Sequence, residues 1–331
     1  MEAISVREDI SPMIYTTTNN LSQLGNTVTP AEFTSLAKTL LDTFHVDTSI
    51  QLHIEHLKEH MIHDSLIAKD DPVITDKVAT HGALVAVCFF PHHPVEVQEA
   101  ITQFSCAFFL LDDVGYKALG ELRSFRKNLI TGKEQKSAIF ALFQRSLLVM
   151  DDHYGTFSVD MLVGSVIKSV SASIVECEGI SYQADQMSAD FPRYFRWMTG
   201  FAEAYAWLIP FKKGFGCVNN VFAAESLLLG IMPDLADLTC VINDVMSFYK
   251  ESVVGDEYEN FVHQQARVQN TSVGQVLEHL TVMVQDRFNG VLRAIDSNMK
   301  LHNLVQEWVK GQVLFYFKCA RYRLDELEFL S

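Results

Sequence analysis

Apolar side chains recur three and four positions apart along nearly the whole chain, the spacing that turns one stripe of a helix toward a core. No two stretches alternate apolar and polar residues as a pair of half-buried strands would. The pattern predicts helices over residues 132–150, 157–177, 192–209, 219–231, 233–253, 256–268, 272–298 and 299–327. Earlier helices are expected to open at Thr29-Pro30, where Thr can cap and Pro fits the first turn, and at Asp47, Asp71-Pro72 and His93-Pro94. Residues 1–28, polar over 16–25, read as a flexible lead-in. No repeat, low-complexity run or Ser/Gly/Pro linker divides the rest, so residues 29–331 are expected to form one all-α domain.

Composition narrows the functional classes. With 48% hydrophobic and 20% charged residues, and only 8 Pro and 16 Gly in 331 positions, the chain can bury a large helical core. A net charge of −15 without a basic block repels nucleic-acid phosphates, so a phosphate-bearing ligand would have to be held by metal and a few placed cations. Six cysteines (88, 106, 177, 217, 240 and 319) are scattered without a C-x-x-C pair, a usage that fits a reducing cytoplasm. Glu2, Arg7, Glu8 and Asp9 interrupt the first residues, unlike a signal peptide. Apolar stretches such as 101–111 fall short of the roughly 18–20 residues a bilayer demands, so no stable membrane insertion is expected.

The most specific string is Asn243-Asp244-Val245-Met246-Ser247-Phe248-Tyr249-Lys250-Glu251. Asn243, Ser247 and Glu251 stand at i, i+4 and i+8, on one helix face behind the apolar approach 235–242. An amide oxygen, a hydroxyl and a carboxylate are hard ligands suited to one Mg²⁺, which leaves its other positions to water and substrate phosphate. Taken singly, Asn243 could cap a turn, Ser247 back-bond to a carbonyl and Glu251 pair with Lys250. A second acidic feature, Asp112-Asp113, ends an apolar helix whose Ile101, Phe104 and Phe108 share the face of Asp112. It reads either as a solvated helix end or as a pair of carboxylates at the mouth of an apolar wall. Asp151-Asp152, near Lys133, Lys136 and Arg145, reads as a solvated terminus.

As a string, NDVMSFYKE resembles the N-D-x-x-S-x-x-x-E magnesium motif of class I terpene cyclases, and most closely the trichodiene synthase branch of fungal sesquiterpene synthases. The 131-residue separation of Asp112 from Asn243 is similar to the separation of the two metal motifs there. The resemblance is concentrated in 104–113, 193–200, 243–251 and 321–323 and covers most of the chain. It implies a class I terpenoid synthase helical bundle around a central apolar cavity, with three Mg²⁺ ions held by Asp112, Asn243, Ser247 and Glu251. Farnesyl diphosphate would be ionised and cyclised to a sesquiterpene hydrocarbon or alcohol, with diphosphate released. Arg196, with Arg193 as its rival, resembles the diphosphate-sensing arginine; Lys250, Arg321 and Tyr322 match further diphosphate contacts. Phe104, Phe108 and Tyr316 would face the carbocation, and Asp113 would accept hydrogen bonds from a closing cation. A homodimer is compatible with this reading. Two departures stand out: Gly115 and Tyr116 occupy the places of a third acid, with Glu121 off that turn, and Cys319-Ala320 replace an Asp-Arg pair.

Two other readings are open from sequence. A chain-elongating isoprenyl diphosphate synthase would share fold and metal but carry a second aspartate-rich motif. His56-Leu57-Lys58-Glu59-His60, in a stripe with His53 and His63, matches the H-x-x-E-H pattern of a zinc peptidase but lacks an identifiable third ligand. Gly132-Lys133 lacks the glycine spacing of a phosphate loop.

Overall fold

The computed structural model describes residues 28–63, 72–178, 188 and 190–327, and among these it is helical, with one isolated bridge between Tyr154 and Phe211. The lead-in expected over 1–28 lies, apart from Val28, outside the described residues. Helix α1 (Pro30–Phe44) opens as its residues dictate: the Thr29 hydroxyl accepts from the Glu32 amide, and the Glu32 carboxylate accepts from the Thr29 amide at 2.8 Å. Asp47 starts no helix. It accepts from the Ser49 amide at 2.8 Å in a local turn, and α2 (Glu55–His63) begins later. Helices α3 (Pro72–Phe89) and α4 (Val95–Val114) follow, the latter entered through Pro94, while His93 turns inward to bond the Leu208 carbonyl. Asp71 lies outside the described residues.

Several expected boundaries move for identifiable reasons. Gly132, at φ 63°, closes α5 (Leu119–Thr131) rather than opening α6 (Ala138–His153). The expected helix over 192–209 is broken into α8 (Phe191–Thr199) and α9 (Ala202–Ala206), with Phe201 in the left-handed region at φ 49°. Conversely, the break expected at Pro233 is absent: α11 (Val218–Phe248) runs through it, after the short α10 (Lys212–Phe215). Pro233 and Leu229 both lie on the exposed side of α11, where water can satisfy the carbonyl that Pro233 leaves without a donor. The chain then widens into a π-helical turn, Tyr249–Val253, before α12 (Phe261–Gln269), α13 (Val273–Ala294) and α14 (Met299–Lys318). Short 3-10 turns at Gly115–Ala118, Ala320–Tyr322 and Leu324–Glu326 finish α4 and the C-terminal region.

Helix α3 packs on α4, α2 and α14, α4 on α6, and α11 on α13, α9 and α14, burying one apolar cluster that extends from Phe33 to Leu327. Helix α7 (Thr156–Cys177) is, among the described residues, long and apolar enough to cross a bilayer, which the length of uninterrupted apolar runs did not anticipate. Its serines raise polarity too little to offset Val, Ile and Leu, and it packs against α5, α6, α8 and α9.

Candidate active site

A cavity of about 310 Å³ opens between α3, α4, α8, α11 and α14. Its inner wall is Val85 and Phe89 from α3, Phe108 and Phe109 from α4, Tyr205 from α9, and Phe315 and Tyr316 from α14. These rings brace one another edge-on: Phe89 on Tyr205 at 5.7 Å and on Phe315 at 5.6 Å, Phe108 on Tyr205 at 6.0 Å. Charged groups gather at its other parts: Asp112, Arg196, Lys250, Glu251, Glu257 and Arg321 all line it. An adjoining cavity of about 190 Å³ shares Arg196, Thr199, Asn243, Glu251 and Glu257 and adds Glu176, Asp244 and Ser247.

On the α11 side, Asn243 and Ser247 sit on the α-helix and Glu251 on the π turn, yet all three line the smaller cavity. The π turn therefore replaces the regular i+8 spacing without removing Glu251 from its companions. Arg196 Nη2 donates to Asn243 Oδ1 at 2.5 Å and its Nε to Asp244 Oδ1 at 2.8 Å; Asn243 Nδ2 donates to the Tyr316 hydroxyl at 2.9 Å. Burial raises the Asp244 pKa to about 6 against the pull of Arg196, and Asp244 Oδ2 has no partner among the described residues. Ser247 is 2% exposed and its hydroxyl makes no hydrogen bond among them. Glu251 accepts from Asn260 Nδ2 at 3.2 Å and lies 3.6 Å from Lys250 Nζ, which rests over the Tyr322 ring.

Arg196 reaches this position because α8 breaks beneath it. A Cβ on Gly200 would come 2.5 Å from Arg196 Nη1 and 3.1 Å from Cys240 Sγ, so glycine alone leaves room for the guanidinium.

On the α4 side, Arg321 bridges the two acids, donating to Asp113 Oδ1 and Asp112 Oδ2, each at 2.6 Å, while lying over Phe109. Burial raises the Asp112 pKa, with the Arg321 charge opposing and Asp113 reinforcing. Tyr322 packs edge-on against Tyr316 at 4.5 Å.

Not every expected site residue reaches the cavity. Phe104, expected on the wall, is fully buried behind it among Phe143, Phe201 and Tyr205, because α6 and α9 cover that turn of α4. Asp113 turns to Arg321 and does not line the cavity, whereas Asp112 does. Arg193 is resolved from Arg196: it pairs with buried Asp237, which Arg287 and Trp197 also engage. Tyr116 has left α4 for the 3-10 turn and is half exposed. Asp151 and Asp152 are exposed at the end of α6. His56 and His60 lie on the exposed face of α2 and turn to Glu99, at 2.9 and 3.8 Å, lining neither cavity.

The donor set fits a hard divalent cation. Among the described residues no three His, Cys, Asp or Glu side chains converge as ligands, but this array needs only one carboxylate beside the Asn243 amide and the unpartnered Ser247 hydroxyl. Carboxylates also exceed cations around it: Glu176 and Glu257, which sequence reasoning missed, carry pKa values raised to about 7, chiefly by burial and then by Asp112 and Glu251 respectively. No local pattern marks either one, since α7 and the loop after the π turn bring them in only through tertiary packing.

The sequence model of the family described as "Trichodiene synthase (TRI5)" matches residues 49–328. An (E)-beta farnesene synthase of Metarhizium brunneum is 25% identical over 250 residues, 74% of this chain and 73% of that protein. Monoterpene synthase 25 of Postia placenta is 29% identical over 243 residues, 72% of this chain and 69% of its own. In fold, the crystal structure of a linalool/nerolidol synthase from Streptomyces clavuligerus aligns with TM-score 0.53 at 14% identity, covering 89% of this chain and 97% of that one. The likeness extends to a hedycaryol synthase, with TM-score 0.53 at 13% identity over 83% of this chain and 94% of that one.

Proposed function

Because the chain belongs to the trichodiene synthase family, and is thereby a terpene synthase, a lyase acting on a prenyl diphosphate, we propose that its substrate is farnesyl diphosphate and its metal Mg²⁺. One observation carries the reading: a single cavity whose charged side holds Asp112, Arg196, Lys250, Glu251 and Arg321 and whose other side is aromatic and aliphatic. A volume of about 310 Å³ falls in the range of small-molecule sites and suits a flexible hydrocarbon tail more than a peptide. The free state of all six cysteines supports a cytoplasmic enzyme.

Asp112, Asn243, Ser247 and Glu251 would hold Mg²⁺, three ions in all, which supplies Lewis acidity at the diphosphate oxygens. Arg196, Lys250 and Arg321 line the same cavity and would donate to the departing diphosphate as the allylic C–O bond breaks and its electron pair leaves with oxygen. Arg196 already stands 2.5 Å from Asn243, and its rigid fork needs little reorganisation to meet an anion there. Phe89, Phe108, Phe109 and Phe315 present rings to the resulting cation and no nucleophile, each ring stabilising positive charge by about 0.5–2 kcal/mol. Loss of a proton or capture of water ends the reaction. The His56–Glu59–His60 alternative is disfavoured by its position on the outside of α2.

Incubation with farnesyl diphosphate and Mg²⁺, followed by gas chromatography–mass spectrometry of the volatiles, tests the reading. Cyclised C15 products that vanish with a chelator are expected. Turnover of geranyl diphosphate alone would move the substrate to C10, and condensation with isopentenyl diphosphate would make the protein a chain-elongating synthase.

A further inference from the structure

Resting on the magnesium reading above, we propose that Glu257 is an additional carboxylate of the metal site and supplies the acid that α4 lacks at Gly115 and Tyr116. Glu251 and Glu257 are the two carboxylates that line both the larger cavity, with Asp112, and the smaller one, with Asn243 and Ser247. Glu257 therefore stands where the two metal motifs meet. Tyr116 cannot play that part, since it is half exposed on the 3-10 turn with Lys117 over its ring.

The loop that carries Glu257 is tied down. The Glu257 amide donates to the Glu251 carbonyl at 2.8 Å, and the Ser252 hydroxyl donates to the Glu257 carbonyl at 2.7 Å. Asn260 Nδ2 bridges Ser252 Oγ at 3.0 Å and Glu251 Oε2 at 3.2 Å, so the metal-motif glutamate and the Glu257 loop share one hydrogen-bond network. Gly255 permits the return: a Cβ there would meet the Lys250 and Glu251 carbonyls at 2.3 and 2.6 Å. Among the described residues the Glu257 carboxylate nevertheless has no hydrogen bond and no ion pair, whereas neighbouring Glu259 is paired with Arg267 at 2.6 Å. A rigid loop that aims an unpaired carboxylate into a cavity has been built for a cation from outside the chain. Independently of the acids, Ser247, 2% exposed and with no hydrogen bond to its hydroxyl among the described residues, lines the smaller cavity and asks for a ligand.

Binding of Mn²⁺ to the full chain with inorganic diphosphate, followed by electron paramagnetic resonance of the free ion, reads the site without turnover. Glu257→Gln should bind one Mn²⁺ fewer, or bind at least one about tenfold more weakly, with an unchanged circular dichroism melt. Glu257→Asp should recover part of the loss and Glu259→Gln should match wild type. Wild-type stoichiometry and affinity in Glu257→Gln, alongside impaired Ser247→Ala, would overturn this assignment and leave the magnesium reading standing. Absence of Mn²⁺ binding by the wild type would overturn both.

Discussion

The two charged walls of the cavity are built on opposite electrostatic terms. On α4, Asp112 and Asp113 share one arginine, Arg321, brought from the other end of the chain, which offsets part of their charge. On α11 and the π turn, Asn243 is engaged by Arg196, but the Ser247 hydroxyl and the Glu257 carboxylate have no partner among the described residues, and Glu251 has only Asn260 and a 3.6 Å approach of Lys250. The α4 wall can persist without ligand; the α11 wall keeps uncompensated groups that a metal would satisfy. A metal entering at Asp112 must compete with the Arg321 ion pair, whereas on the α11 wall it competes with Arg196 only at the Asn243 oxygen and meets a Ser247 hydroxyl that has no partner among the described residues. The α11 wall is thus expected to load first.

The largest effects should come from removing the proposed metal ligands on either wall. Ser247→Ala and Glu251→Gln, like Asp112→Asn, should each lower turnover by at least about 100-fold, since Lewis-acid stabilisation is worth several kcal/mol. Melting temperatures should stay near wild type for Ser247→Ala, whose hydroxyl bonds nothing among the described residues. Near-normal turnover in Ser247→Ala would break the distinction between the walls.

Next in size, Arg321→Ala should destabilise the ligand-free protein by about 1–2 kcal/mol, a value below that of a fully buried pair because the Asp112 side chain is 53% exposed to the cavity. Urea unfolding compares it with Ser247→Ala. Equal stability of the two variants would show that the α4 wall gains nothing from its arginine.

A smaller effect follows from protonation. The Glu176 carboxyl is raised from 4.5 to about 7, so the folded state keeps a proton that the unfolded chain loses between those values. Stability must then fall as pH rises through that window, by on the order of 1 kcal/mol once cavity water is allowed for. Thermal melts of the ligand-free protein from pH 5 to 8 should show the decline, and Glu176→Gln should flatten it. A wild-type profile as flat as that of Glu176→Gln would show that Glu176 does not hold its proton in the folded state.

What the sequence revealed follows the range of the interactions. The Thr29–Glu32 cap and the Asn243, Ser247, Glu251 array depend on neighbours within two turns, and helical spacing displays such patterns directly. Arg196 could be singled out by resemblance, but its separation from Arg193 needed Asp237 and Asp244 on a different helix. Phe104 was misplaced for the same reason: one turn of α4 distinguishes it from Phe108, and only the packing of Phe143 and Phe201 decides which ring is withdrawn. Pro233 misled because its cost depends on whether the orphaned carbonyl faces water, which a linear pattern does not state.

The smallest expected effect is at position 116, where an acid would restore the family-like spacing after Asp112. On a continued α-helix, an aspartate there would return to the face of Asp112 after one turn and raise metal affinity. The chain does not continue that way: α4 ends at Val114, Gly115 starts a 3-10 turn, and the Tyr116 side chain is half exposed beside Lys117. Tyr116→Asp should therefore change neither Mn²⁺ stoichiometry nor turnover by more than about twofold, with a stability change within about 0.5 kcal/mol for a surface site. A marked gain in Mn²⁺ affinity would mean that α4 extends by a turn when the site is loaded, and that the α4 wall, not the loop of Glu257, provides the missing acid's place.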